Sequence, residues 1–84
     1  AKLIRTDMSG ANLSGANFSY ANLSDANLWK ANLTGANLLH ANLTRALMAM
    51  ANLKGANLKQ ANLTGTKLIQ TELTDTILPE GFEE

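Results

Sequence analysis

Residues 21–45 read Ala-Asn-Leu-Ser-Asp, Ala-Asn-Leu-Trp-Lys, Ala-Asn-Leu-Thr-Gly, Ala-Asn-Leu-Leu-His, Ala-Asn-Leu-Thr-Arg. The leucines fall at Leu23, Leu28, Leu33, Leu38 and Leu43, each two residues after an alanine. A five-residue step suits neither regular structure. In an α-helix it overshoots a full turn by roughly 140°, so the leucines would scatter around the cylinder. In a plain strand it would throw successive leucines onto opposite faces. Within a pentad, however, Ala and Leu are two apart and point the same way on a short extended segment. The next Ala lies three residues beyond the Leu, and that odd step makes the chain turn a corner. If each corner turns about 90°, four pentads close a square coil of twenty residues, and successive coils stack at about 4.8 Å.

The same period runs in both directions from this stretch. Large apolar residues occupy Leu3, Met8, Leu13, Phe18, then Met48, Leu53, Leu58, Leu63, Leu68, Leu73 and Leu78, always two residues after Ala or Thr. The inward columns are therefore expected to form a core of Leu13, Phe18, Leu23, Leu28, Leu33, Leu38, Leu43, Met48, Leu53, Leu58, Leu63 and Leu68. The small first positions are a steric demand, because a larger residue there would collide with the leucines.

Repetition at a fixed short period is the signature of a solenoid. The pentads Ala-Asn-Leu-Ser-Gly (11–15), Ala-Asn-Leu-Thr-Gly (31–35 and 61–65) and Ala-Asn-Leu-Thr-Arg (41–45) resemble the pentapeptide-repeat family. One copy is a weak motif, but sixteen consecutive copies are specific. The resemblance implies an all-β fold, a right-handed quadrilateral β-helix of four coils of about 20 residues. Handedness and the four-sided coil rest on the resemblance. Residues 1–80 are read as the repeat domain and 81–84 as a short tail, with 78–82 acting as a C-terminal cap. Pro79 there cannot donate a ladder hydrogen bond, and Phe82 could fold over the last coil as a lid. The start lacks an initiator Met and any obvious cap, so the expectation is a domain of a longer, bacterial or cyanobacterial protein.

Composition narrows the chemistry. There is no cysteine, hence no disulfide frame and no thiolate chemistry. No apolar run approaches a membrane span, so no membrane insertion by this segment is expected. Net charge is zero over 84 residues, but residues 1–70 carry all seven Lys and Arg against Asp7 and Asp25. The acidic residues Glu72, Asp75, Glu80, Glu83 and Glu84 crowd the end. Such charges at an open end deter edge-to-edge association.

Outward positions offer little for catalysis. Asn fills ten of sixteen second positions and reads as a ladder of amides, each bonded to backbone or to the next coil. Metal or sugar binding is the weaker reading, because amides are poor transition-metal ligands and calcium wants clustered carboxylates. Ser and Thr at eight fourth positions suit turns, where a hydroxyl bonds nearby backbone. His40, the one histidine, sits in the column Tyr20, His40, Gln60, Glu80 without a carboxylate one coil away, so it reads as an exposed corner residue. The column Arg5, Asp25, Arg45, Gly65 reads as a small ion-pair ladder. No cofactor, metal site, small-molecule substrate or catalytic group is expected.

One side breaks the pattern: pentads 6–10, 26–30, 46–50 and 66–70. There Leu47 replaces the repeat's Asn, and Trp29, Leu47, Met50 and Ile69 occupy outward positions on adjacent coils, flanked by Lys30 and Lys67. An apolar patch holding a Trp is a candidate contact surface for a protein partner, another domain of the parent chain, or a dimer or crystal contact. Leu39 and Ile77 lie on another side and are scattered. The basic residues Arg45, Lys54, Lys59 and Lys67 spread over several sides without interleaved aromatics, so nucleic acid is the weaker partner. The reading is a non-catalytic rigid scaffold or protein-interaction module. The resemblance adds two alternatives. Some family members follow transmembrane helices and are linked to heterocyst glycolipid deposition in cyanobacteria, which would attach this segment to a membrane-anchored parent rather than leave it cytoplasmic. Others mimic DNA and inhibit gyrase, which needs a more acidic surface than residues 1–70 provide.

Overall fold

The computed structural model describes residues 2–82; Ala1 of the expected domain and Glu83 and Glu84 of the expected tail lie outside the described residues. The chain winds into four coils: residues 2–20, 21–40, 41–60 and 61–80. Parallel bridges tie each second position to the one twenty residues on, from Lys2↔Asn22 through Asn42↔Asn62 to Asn57↔Ile77. We call the sides faces one to four, after the pentads 1–5, 6–10, 11–15 and 16–20 that begin them. The body measures 26 × 22 × 19 Å.

The pentad accounts for its own amides, which is why the period holds. In the second coil, the first-position N–H closes the preceding turn (Ala26 N to Leu23 O, 3.1 Å). The second-position N–H reaches back a coil (Asn27 N to Thr6 O, 2.9 Å). The third and fifth reach forward a coil (Leu28 N to Leu47 O, 2.7 Å; Lys30 N to Ala49 O, 3.1 Å). The fourth donates to a side chain of its own pentad, Asn27 Oδ1, at 3.1 Å from Trp29 N. An exact set of acceptors for five donors leaves little buried polar cost.

One sequence expectation is narrowed to its backbone alternative here, and another changes. All ten repeat asparagines accept from the backbone N–H two residues on, within their own pentad and not across coils. The fourth-position hydroxyls of Ser14, Ser19, Thr34, Thr44 and Thr64 donate to that same Asn Oδ1, not to backbone. Asp7 and Glu72 take over the acceptor role where Asn is missing.

Each corner places its fifth residue at positive φ, from Arg5 (58°) to Asp75 (58°). Ten of these are not glycine, and each bears on the order of 1 kcal/mol of left-handed strain. Gly65 is the corner where space is tightest: an added Cβ would come within 3.2 Å of Arg45 Cγ in the coil below, which would have to give way.

The core is complete only where a coil has neighbours on both sides. Leu23, Leu28, Leu33, Leu38, Leu43, Met48, Leu53 and Leu58 are fully buried, together with the first-position alanines from Ala21 to Ala56. Leu13, Phe18, Leu63 and Leu68, expected in the core, are only half-buried and pack against it from the end coils. In the last coil three of the four first positions are Thr66, Thr71 and Thr76, after Ala61, and each hydroxyl donates to a third-position carbonyl of the coil below (Thr66 Oγ1 to Leu43 O, 2.6 Å). After Ile77 the regular pattern stops. The Pro79 carbonyl, the regular acceptor for Gln60 N–H, accepts instead from Phe82 N–H at 3.1 Å. Phe82 is half-buried and lines two concavities at this end, one with Leu68, Ile69 and Leu73, the other with Leu63 and Pro79.

Candidate interaction surface

Face two stacks three outward columns. The second positions are Asp7, Asn27, Leu47 and Lys67, the fourth Ser9, Trp29, Ala49 and Ile69, and the fifth Gly10, Lys30, Met50 and Gln70. The structure places Trp29, Met50 and Ile69 on this side with 41%, 46% and 67% of their surface open, so three large apolar groups face solvent. Lys30 and Lys67 are exposed beside them. Leu47, expected to be exposed, is half-buried, because it sits in a ladder between Asn27 and Lys67. The Lys30 ammonium lies 4.5 Å from the Trp29 ring centroid, a cation–π contact that holds the indole in place.

The residue that shapes the surface is one the sequence pattern hides. Ala49 stands between Trp29 and Ile69 in the fourth-position column, so the apolar side chains rim a hollow with a methyl group at its floor. Uncapped turns mark the same place. Four second positions carry no acceptor for the turn amide: Lys2, Leu47, Lys67 and Ile77. At Ile77 the residue two on is Pro79, which has no N–H to cap. Leu47 and Lys67 leave Ala49 N–H and Ile69 N–H without a protein acceptor among the described hydrogen bonds, one above the other on face two. Proteins tend to break their own local rules at functional sites. Replacing Leu47 with the repeat residue should repair one turn: Leu47→Asn is expected to stabilise the fold by about 0.5–1.5 kcal/mol, read as a higher thermal midpoint.

The other faces are better satisfied. On face one, Arg45 grips Asp25 with two bonds of 3.0 Å, Nε to Oδ1 and Nη2 to Oδ2. The expected ladder reduces to this pair: Arg45 bonds both carboxylate oxygens, and Arg5 acts on Asp25 only at longer range. His40 is not a solitary corner residue. Its ring stacks on Tyr20, with centroids 4.9 Å apart and planes at 12°. Among the described residues no three His, Asp or Glu side chains converge as a metal site would require. Among the described residues no helix is long and apolar enough to cross a membrane.

Three carboxylates are held below their ordinary values. At Asp7 the cause is the Ser9 N–H and then the Ser9 hydroxyl; at Asp25 it is the Arg45 hydrogen bonds; at Glu72 it is the Thr74 hydroxyl and then its N–H. A carboxyl that is more acidic folded than unfolded stabilises the fold fully above its unfolded value, 3.8 for Asp and 4.5 for Glu. That stabilisation is lost as pH falls through the lower folded values. Thermal midpoints should hold steady between about pH 5 and 7 and fall below about pH 4. An Asp7→Asn, Asp25→Asn, Glu72→Gln variant should lose that acid-side slope.

Comparison with known proteins fits this geometry. The pentapeptide repeats family model matches residues 1–29, 11–48, 21–60 and 41–79. The chain is similar to the crystal structure of Rfr23, a pentapeptide repeat protein from the cyanobacterium Cyanothece 51142. That match has 40% identity and a TM-score of 0.89 over 92% of this chain and 53% of that one. A pentapeptide repeat protein from the Arabidopsis thaliana thylakoid lumen matches with 35% identity and a TM-score of 0.88, over 89% of this chain and 52% of that one. HetL from Nostoc sp. strain PCC 7120, a pentapeptide repeat protein involved in heterocyst differentiation regulation, matches with 35% identity and a TM-score of 0.57, over 99% of this chain and 43% of that one. The chain thus spans about half the length of the first two. No curated protein matches it.

Proposed function

The chain belongs to the pentapeptide-repeat family and has that family's right-handed quadrilateral β-helix, and from that premise we propose that it is a non-catalytic rigid scaffold whose second face binds protein. The observation that carries the reading is the coincidence on face two. Exposed Trp29, Met50 and Ile69, half-buried Leu47 and two uncapped turn amides gather on one side. Each costs solubility or stability, and together they form a rimmed hollow of the kind that receives a side chain of another protein. Rigidity supports the role: backbone hydrogen bonds tie each coil to its neighbours, so the surface is presented at little ordering cost.

A regulatory contact of this kind is consistent with the likeness to HetL, whose role in heterocyst differentiation regulation belongs to that protein. DNA mimicry fits less well. The carboxylates Asp7 and Asp25 on the first two coils are outnumbered by Lys2, Arg5 and Lys30, whereas a duplex mimic needs a dense, regular row of negative charge.

The test is affinity capture with the wild type beside a Leu47→Asn, Trp29→Ser variant. Both changes restore residue types the repeat uses elsewhere, so the coil should survive, as circular dichroism would verify. Loss of one defined partner from the variant supports the reading. An identical set of captured proteins overturns it.

A further inference from the structure

Face two is complementary to itself when turned upside down, and we propose that it pairs with face two of a second copy of this chain in an antiparallel dimer. The inference rests on the reading of face two as a contact surface and adds what it contacts. Consider a two-fold axis lying in the interface, parallel to the short strands and midway between the second and third coils. It keeps the position along the side and reverses the order of the coils, so coil one faces coil four and coil two faces coil three.

Each outward column then brings complementary residues together. In the second-position column, Asp7 of each copy faces Lys67 of the other, giving two opposite-charge pairs at the two ends of the contact. In the fourth-position column, Trp29 faces Ala49, so each indole seats in the other copy's hollow, and Ile69 faces Ser9. In the fifth, Gln70 faces Gly10. Large stands opposite small at Trp29–Ala49, Ile69–Ser9 and Gln70–Gly10, and positive opposite negative at Asp7–Lys67, while Asn27 faces Leu47 at the centre. Met50 faces Lys30, whose ammonium sits 4.5 Å from the Trp29 ring centroid at the exposed corner. An isologous interface demands this kind of self-complementarity.

The competing two-fold, along the rod, lacks it. That axis keeps the coil order and exchanges second with fourth positions. It sets Lys67 on Ile69 and Asp7 on Ser9, and pairs no opposite charges. Within a single chain Asp7 and Lys67 stand three coils apart, about 14 Å at the inter-strand spacing, so they form no pair of their own. The area is adequate. The body is nearly equal-sided, and one side of six carries about a sixth of its 4748 Å² surface. That is on the order of the ~800 Å² each partner gives to a standard interface.

The decisive experiment is sedimentation equilibrium on the 84-residue chain, with charge exchange across the proposed pair. The wild type is expected to show a monomer–dimer equilibrium between about 1 μM and 1 mM. Lys67→Asp alone and Asp7→Lys alone should each weaken it by about tenfold or more, since each puts like charges opposite one another twice per dimer. The double exchange, Asp7→Lys with Lys67→Asp, should return the affinity to within a few-fold of wild type. Thermal midpoints read alongside keep folding losses apart, and Ala49→Arg, an outward change that fills the hollow, should abolish the dimer without unfolding the coil. A wild type that stays monomeric, a dimer that the double exchange fails to restore, or one indifferent to Ala49→Arg overturns the inference. A monomer whose captured partner is still lost with Leu47→Asn, Trp29→Ser leaves face two a contact surface for another protein and ends self-pairing alone.

Discussion

Truncating Leu38 to alanine is expected to lower the free energy of unfolding by about 2–5 kcal/mol, and truncating Leu68 by much less. Both residues are third-position leucines of the same repeat, although Asn37 caps the turn that follows Leu38 and Lys67 leaves the turn after Leu68 uncapped. They differ in what lies above and below. Leu38 is fully buried in the second coil, with Phe18 beneath it and Leu58 above it in the same column. Leu68 belongs to the last coil and is half-buried. Cavity cost depends on how far the surroundings can relax into the space. Around Leu38 they can relax little. Its own N–H is bonded to Asn57 O at 2.7 Å, and Asn37 beside it is bonded back to Ala16 O at 2.9 Å. The walls are therefore fixed at the ladder spacing. At Leu68 the space opens toward the concavity lined by Leu73 and Phe82, where water already reaches. Denaturant midpoints of the two variants test this. Equal losses would mean that the end coils are as tightly packed as the middle ones.

That difference between coils marks where reading the sequence succeeds. A twenty-residue coil turns register into arithmetic, so column neighbours such as Trp29, Ala49 and Ile69 follow from counting. The inward and outward division follows from the small residue two before each leucine. Burial depth does not follow from the motif, since Leu13 and Leu33 sit in almost the same pentad. It follows from the number of coils stacked on each side. The asparagines show a second kind of gap. The sequence allows both capping the turn within a pentad and bridging to the next coil, and only the geometry decides between them. The positive φ of the fifth position did leave a signal, because Gly10, Gly15, Gly35, Gly55 and Gly65 all occupy it.

The candidate surface divides in the same way. Its apolar rim was legible because Trp29, Met50 and Ile69 depart from a strict pattern. Its floor was not, because Ala49 is small and draws no notice beside Leu47 and Met50. Nor were the uncapped amides, whose meaning appears only once the neighbouring pentads are seen to bond Asn Oδ1 to the turn. Pairing along columns was legible in outline, yet only Arg45 bonds Asp25, while Arg5 acts on it at longer range.

A clean separation of size from polarity is available at Ala36. This first-position residue is 1% exposed, within a core of third-position leucines. Ala36→Leu is expected to cost about 1–3 kcal/mol or more by overpacking. The added atoms have no route outward, since the backbone on either side is held to Ala16 O through Asn37 N–H and to Leu33 O through its own N–H. Ala36→Thr adds nearly as polar a group as the core could meet, yet it should be close to neutral. The last coil shows why: Thr66, Thr71 and Thr76 occupy the same position and satisfy their hydroxyls on Leu43, Met48 and Leu53 carbonyls twenty-three residues earlier. The matching acceptor for residue 36 is Leu13 O, which now receives only Ala16 N–H and has a second lone pair free. Thermal midpoints of the two variants decide the matter. If Thr proves as costly as Leu, the first position excludes polarity as such. If Leu is tolerated, the steric demand that sets Ala or Thr in every pentad is absent, and the inward assignment of that column fails with it.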